Sequence, residues 1–201
     1  MPQSYKNLLT YRLSLFIYDL TVAFCQRWIL DPHIAGNIGY APDKRLADQM
    51  VQAARSGKQN IAEGSADMPT SMKMAIKLTN VASASLEELI EDYEDFLRAR
   101  GKSIWDKADS RTLYWRSKTA TLVGNLGHLS NLSNLSPLQM LPLPTDPEIA
   151  ANLLLTLCHQ ATYLLSRQIA AMEQKHIQEG GYTEKLYNQR IEYRRRHGQQ
   201  K

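Results

Sequence analysis

Cysteine is scarce: Cys25 and Cys158 are the only two in 201 residues. Thiols this few and this far apart build neither a disulfide framework nor a zinc site. They are expected as buried free thiols. Strand alternation is absent throughout. A phosphate loop is absent too. The stretch "RSGKQNIAEGSADMPTSM" holds Gly57-Lys58, but Gln59 follows where Ser or Thr is required. No glycine stands five residues before Gly57, and no strand precedes it. Histidines are few. His33, His128, His159, His176 and His197 show no ligand spacing with one another or with the cysteines. Glu63 has no nearby histidine or second acid, and no HExxH motif occurs. These absences argue against an enzyme and against a bound metal or cofactor.

Long apolar runs are missing as well. The longest charge-free stretches, "TATLVGNLGHLSNLSNLSPLQMLPLPT" and "IAANLLLTLCHQATYLLS", are broken by Asn, Ser and Pro or carry a polar face. A membrane span needs about 20 predominantly apolar residues. The opening "MPQSYKNLLTYRLSLFIYDL" contains Lys6, Arg12 and Asp19 and has no small-residue cleavage site. The expectation is a cytoplasmic protein without a membrane segment.

What is present is ordinary globular composition, 43% hydrophobic and 22% charged, with an uneven charge. Residues 182–201 hold six basic residues (Lys185, Arg190, Arg194, Arg195, Arg196, Lys201) and two acidic ones (Glu184, Glu192). The whole chain has 24 basic and 20 acidic residues, so residues 1–181 hold 18 of each. A neutral body therefore carries a cationic end.

The apolar spacing is helical. The first helix is predicted over about 5–30, with Leu9, Leu13, Phe16 and Leu20 on one stripe. The second covers 43–64, with Asp43 as its cap. Its stripe of Met50, Ala53, Gly57, Asn60 and Gly64 is mostly small, which permits close helix approach. The third spans 69–100, starting at Pro69 or Thr70. It carries Ala75, Ala82, Ser85, Leu89 and Phe96 inward and Glu87, Glu88, Glu91, Glu94 and Asp95 outward. Gly101 ends it. The fourth spans 147–178 behind Thr145-Asp146-Pro147-Glu148, a good helix start. Residues 102–145 form an insertion that holds a short helix, then an extended Asn-Leu-Ser-rich loop docked on the body. After Gly180-Gly181 a short helix runs from Thr183 to about Arg195. The predicted fold is all-α: an antiparallel four-helix bundle over 1–181 with an irregular insertion, then a basic C-terminal helix and tail over 182–201.

In this scheme "RSGKQNIAEGSADMPTSM" is a corner. Gly64 would close the second helix in the left-handed conformation. Asn60 and Glu63 would hydrogen-bond the turn or a neighbouring helix. Trp105, Tyr114 and Trp115 lie near Lys107, Arg111, Arg116 and Lys118. They offer either a stacking platform for bases or anchors for the insertion. The acidic face of the third helix is a solvated face, or else it meets a basic face of a second subunit.

Two motifs carry a family resemblance: Asn60-Ile61-Ala62-Glu63-Gly64, and Ala82-Ser83-Ala84-Ser85-Leu86-Glu87-Glu88-Leu89. With "YKNLLTYRLSLFIYDLTVAFC" before them, they resemble the four-helix-bundle family of 23S ribosomal RNA intervening-sequence proteins and Avd-like accessory proteins of diversity-generating retroelements. The resemblance covers about residues 5–100. The stretch from "LLLTLCHQ" to "EYRRR" is similar to the longer subgroup with a four-helix-bundle suffix. The resemblance implies a homopentameric ring without enzymatic activity that binds RNA or DNA, or a nucleic-acid-processing partner. On this chain the residues expected to touch nucleic acid are Lys185, Arg190, Arg194, Arg195 and Arg196. A protein-interaction scaffold with a merely solubilising tail is the alternative.

Overall fold

The computed structural model describes residues 4–33, 41–125 and 137–197. Among these residues every regular element is helical. A short 3-10 turn, Ser4–Asn7, leads into α1, Leu9–Phe24, which continues as a π-helical turn over Cys25–Leu30. Then follow α2 (Lys44–Asp67), α3 (Met72–Ala99), α4 (Ser110–Asn125), α5 (Pro137–Met140), α6 (Pro147–Glu179) and α7 (Tyr182–His197).

Local chemistry accounts for the helix starts. The Asp43 carboxylate accepts the Leu46 N–H at 2.9 Å, and the Asp146 carboxylate accepts the Ile149 N–H at 3.0 Å ahead of Pro147. The third helix starts later than its sequence pattern suggested. Ser71, not Pro69 or Thr70, caps it by accepting the Met74 N–H. Gly101 at φ +60 and Gly180 at φ +69 follow α3 and α6 in conformations that disfavour side chains.

The four long helices α1, α2, α3 and α6 pack on one another. Cross-helix contacts give their directions. Ser56 meets Ser85, while Gly57 faces Leu86 and Gly64 faces Ala75 and Leu78, so α2 and α3 run antiparallel. Lys58 lies over the Tyr18 ring and Cys25 touches Met50, so α1 and α2 do too. The core between them centres on Phe24, which meets Trp28, Tyr93 and Phe96 at ring distances of 4.9, 5.1 and 4.8 Å. These separations suit edge-to-face aromatic packing. The Tyr93 hydroxyl donates to Thr21 Oγ1 at 2.8 Å, and Thr21 donates to the Ile17 carbonyl. The one buried phenol among the described residues is thereby satisfied.

The second helix corrects the expected corner. It runs on to Asp67, and Gly64 is an interior helical residue without a positive φ. Gly64 is small because α3 passes close by. A Cβ there would lie 3.1 Å from the Ala75 carbonyl oxygen and 3.3 Å from both Leu78 Cβ and Thr79 Oγ1. A Cβ on Gly57 would lie 3.0 Å from Leu86 Cδ2. Asn60 bonds its own helix rather than a neighbour's backbone, donating to the Ser56 carbonyl at 2.9 Å and to Ser56 Oγ at 3.2 Å. Glu63 is exposed, and its side chain makes no hydrogen bond or ion pair among the described residues. The turn is held instead by backbone bonds to the Gly64 and Asp67 carbonyls.

The insertion is more ordered than its composition suggested. It holds the 16-residue α4, which packs on α6. Farther on, α5 contacts α1, and Leu141 just after it is buried in the core. Most of the Asn-Leu-Ser repetition, and His128, lie outside the described residues. The stretch Leu9–Leu30 is long and apolar enough to cross a membrane by length and composition. Its Phe16, Ile17, Leu20 and Phe24 are buried against the other helices.

Candidate nucleic-acid interface

The predicted contact residues all lie on α7, the one long helix among the described residues in which no residue is buried. The helix is set off from α6 by Gly180 and started by Glu184, whose carboxylate accepts the Gly181 N–H at 2.9 Å. Lys185 donates to Glu179 at 3.0 Å, and this bond holds the Glu179 carboxyl below its usual range. Arg196 pairs with Glu192 on its own helix. Arg190, Arg194 and Arg195 have no carboxylate partner among the described residues. Five candidate cations thus divide into two that are neutralised locally and three that are free for a ligand. Surface pairs of this kind are weak, so Lys185 and Arg196 remain available at modest cost.

Arg190 and Arg194 lie one helical turn apart, with a rise of about 6 Å between them. The tyrosines between and beside them were not singled out from sequence. Tyr187 and Tyr193 are 63% and 65% exposed. Tyr193 stacks on His197 with ring centroids 4.2 Å apart and planes 21° apart. A projection of α7 by helical angle, rather than a count of its charges, would have picked these rings out.

The alternative platform is largely used up in packing. Trp105 is buried. Its backbone N–H donates to Asn152 Oδ1 at 2.8 Å, and Arg111 covers its ring at 4.1 Å. Trp115 is partly buried against the core, with Lys118 at 5.0 Å from its ring centroid. Only Tyr114, 56% exposed, faces outward. These residues anchor the insertion. Asn152 completes the anchor by donating to the Ser103 and Glu148 carbonyls.

The acidic face of α3 borders a groove against α2 that includes Asp48, Ser85, Glu88, Glu91 and Asp92. Burial first, then Asp95, Glu88 and Glu91, push the Asp92 carboxyl up to about 6. A cavity of about 530 Å³ lies between α1, α4 and α6, lined by Leu9, Leu13, Val123, His159, Gln160 and Tyr163 among others. Burial there pushes the His159 pKa down, with nearby Glu94 opposing. No group of three or more His, Cys, Asp or Glu side chains placed to hold a metal ion occurs among the described residues. Cys25 and Cys158 are both buried free thiols, and burial pushes Cys25 up to about 12. Comparison of the chain with family models, curated proteins and solved structures found no match in any of the three.

Proposed function

We propose that this chain is a non-enzymatic, cytoplasmic four-helix-bundle protein that assembles with copies of itself and binds nucleic acid, or a nucleic-acid-processing partner, through α7. One observation carries the reading. Residues 1–181 hold equal numbers of acids and bases, and all but one charge of the positive excess falls on α7, a helix with no buried residue and with three arginines that have no carboxylate partner among the described residues. A cationic helix of this kind neutralises phosphates in sequence-independent fashion, and each contact releases condensed counterions.

The packing of α1, α2, α3 and α6 supports the bundle reading, and the two motifs on α2 and α3 support the family resemblance. That resemblance suggests a ring of five. A ring repeats one heterologous interface until it closes. It would gather the α7 helices of all subunits and raise their effective concentration on one strand. The mass of one chain is 22.9 kDa, so a pentamer would weigh about 115 kDa by light scattering. A monomer mass at micromolar concentration would remove the ring and leave the bundle.

The function itself is tested by a gel shift of the full chain with RNA and DNA at low and high salt. A shift at low salt that weakens steeply as salt rises is expected. No shift at any salt would sink the binding reading in favour of a protein-interaction scaffold.

A further inference from the structure

We infer that α7 takes single-stranded rather than duplex nucleic acid, with Tyr187 and Tyr193 as stacking surfaces for bases and Arg190 and Arg194 as the phosphate contacts between them. The inference rests on the nucleic-acid reading above and adds the class of ligand.

The helical angles carry it. At about 100° per residue, Tyr193, Arg190, Arg194 and Tyr187 fall in that order across about 120° of the helix. Glu184 and Glu192 project outside this sector by about 60° or more. The half of α7 that holds the rings therefore holds no acid, while the acids stand on the other side with Lys185 and Arg196. Nothing among the described residues buries the ring-bearing side: α7 has no buried residue, and both rings are more than half exposed. Gln189, Arg190, Tyr193 and Arg194 line a shallow depression of about 330 Å³.

Exposed aromatic rings at this density need a reason, because a purely solvated helix gains nothing from them. Interleaved arginines and aromatics are the pattern that binds single strands. Cations track the backbone, and unstacked bases lie on the rings. Duplex DNA and RNA present no free base faces, so the tyrosines would contribute nothing there. A membrane-surface helix would gather Leu, Phe or Trp on one side and its cations on the other. Here the arginines stand between the rings. Tyr193 already stacks on the His197 imidazole, which holds its ring in a defined orientation while the residue stays 65% exposed.

The test uses the full chain and a labelled mixed-sequence RNA of about 20 nucleotides, long enough for several sites, alongside the same sequence as a duplex, by fluorescence anisotropy. Tyr187→Ala with Tyr193→Ala should weaken single-strand binding by about tenfold or more. It should leave the salt slope and duplex binding unchanged. Tyr187→Phe with Tyr193→Phe keeps both rings and should restore single-strand affinity. Arg190→Gln with Arg194→Gln should lower the salt slope on the single strand by about 1.4, from about 0.7 per contact. Because Tyr187, Arg190, Tyr193 and Arg194 are all exposed, none of these changes threatens the fold. If the full chain binds RNA but the alanine pair binds it equally well, stacking is wrong and the nucleic-acid reading stands. An equal loss on duplex and single strand also overturns the single-strand assignment. If the full chain binds neither form at low salt, both readings fall. Binding to anionic vesicles in that case would assign α7 to a membrane surface.

Discussion

Gly64 offers the sharpest test of the packing. In a helix interior, Gly→Ala ordinarily gains about 1 kcal/mol from lost backbone freedom in the unfolded chain. At Gly64 the new Cβ would sit 3.1 Å from the Ala75 carbonyl oxygen. That atom is backbone, so relief requires α3 to move rather than a side chain to rotate. Overpacking of this kind costs about 1–3 kcal/mol. The two terms leave Gly64→Ala about 1 kcal/mol less stable than the parent. Gly64→Val adds two methyl groups and recovers less propensity, so its loss should be about 2–3 kcal/mol. At Gly57 the closest atom is a side-chain methyl of Leu86, and Gly57→Ala should cost less than Gly64→Ala. Gly124 has nothing within 4 Å of its would-be Cβ. There the propensity term acts alone, and Gly124→Ala should gain about 0.5 kcal/mol. Urea unfolding followed by helical circular dichroism reads the series. In a chain of this size each 1 kcal/mol moves the melting temperature by about 2–4 °C. A left-handed Gly64 would make Gly64→Asn milder than Gly64→Ala, whereas the close-approach account makes Asn the worse of the two. Gly64→Ala at or above parental stability would refute the contact.

Four further outcomes follow from buried and half-buried groups. Thr21→Val strips the Tyr93 hydroxyl of its acceptor and should cost about 1–3 kcal/mol, while adding Tyr93→Phe should recover most of the loss in a double-mutant cycle. Asn152→Ala removes three hydrogen bonds at the insertion anchor; a loss of about 2–3 kcal/mol and a red-shifted Trp105 emission are expected. Asp92 has a folded pKa of about 6, above its ordinary 3.8, so the folded state binds the proton more tightly and stability contributed by this group is lost as pH rises through about 4 to 6. Asp92→Asn should therefore stabilise the protein at pH 7 by about 1 kcal/mol after screening, and not at pH 4; equal effects at both pH values would contradict the assignment. A thiol reagent should find neither cysteine in the native protein and both in denaturant.

Much of this architecture is legible in the residue order. Asp43, Asp146-Pro147 and Gly101 mark helix limits because caps and left-handed glycines act locally. Most residues of the first three apolar stripes point inward, Leu13, Phe16, Leu20, Met50, Ala82 and Leu89 among them, because burial follows the helical period, while Leu9 at the start of the first stripe stays exposed. The corner after α2 was not legible, because Gly64 suits both a helix end and a close contact. Only the position of α3 separates the two. The order within the insertion depends likewise on a distant partner, since Asn152 on α6 supplies the bonds that hold Trp105. On α7 the cations were plain in the sequence. Their division into paired and free was not, because it depends on which side of α7 Glu192 projects and on how Glu179, at the end of α6, reaches back to Lys185.

The central claim is that α7 is the binding element. Truncation after Gly181 removes it and leaves a chain with 18 basic and 18 acidic residues. The packed helices α1, α2, α3 and α6 lose no buried side chain, since α7 has none. Binding of labelled single-stranded RNA by the full and truncated chains, at one salt concentration, is the direct measurement. The account predicts that the full chain binds and that the truncated chain, still helical and cooperative in melting, does not. Equal affinity of the two would contradict it.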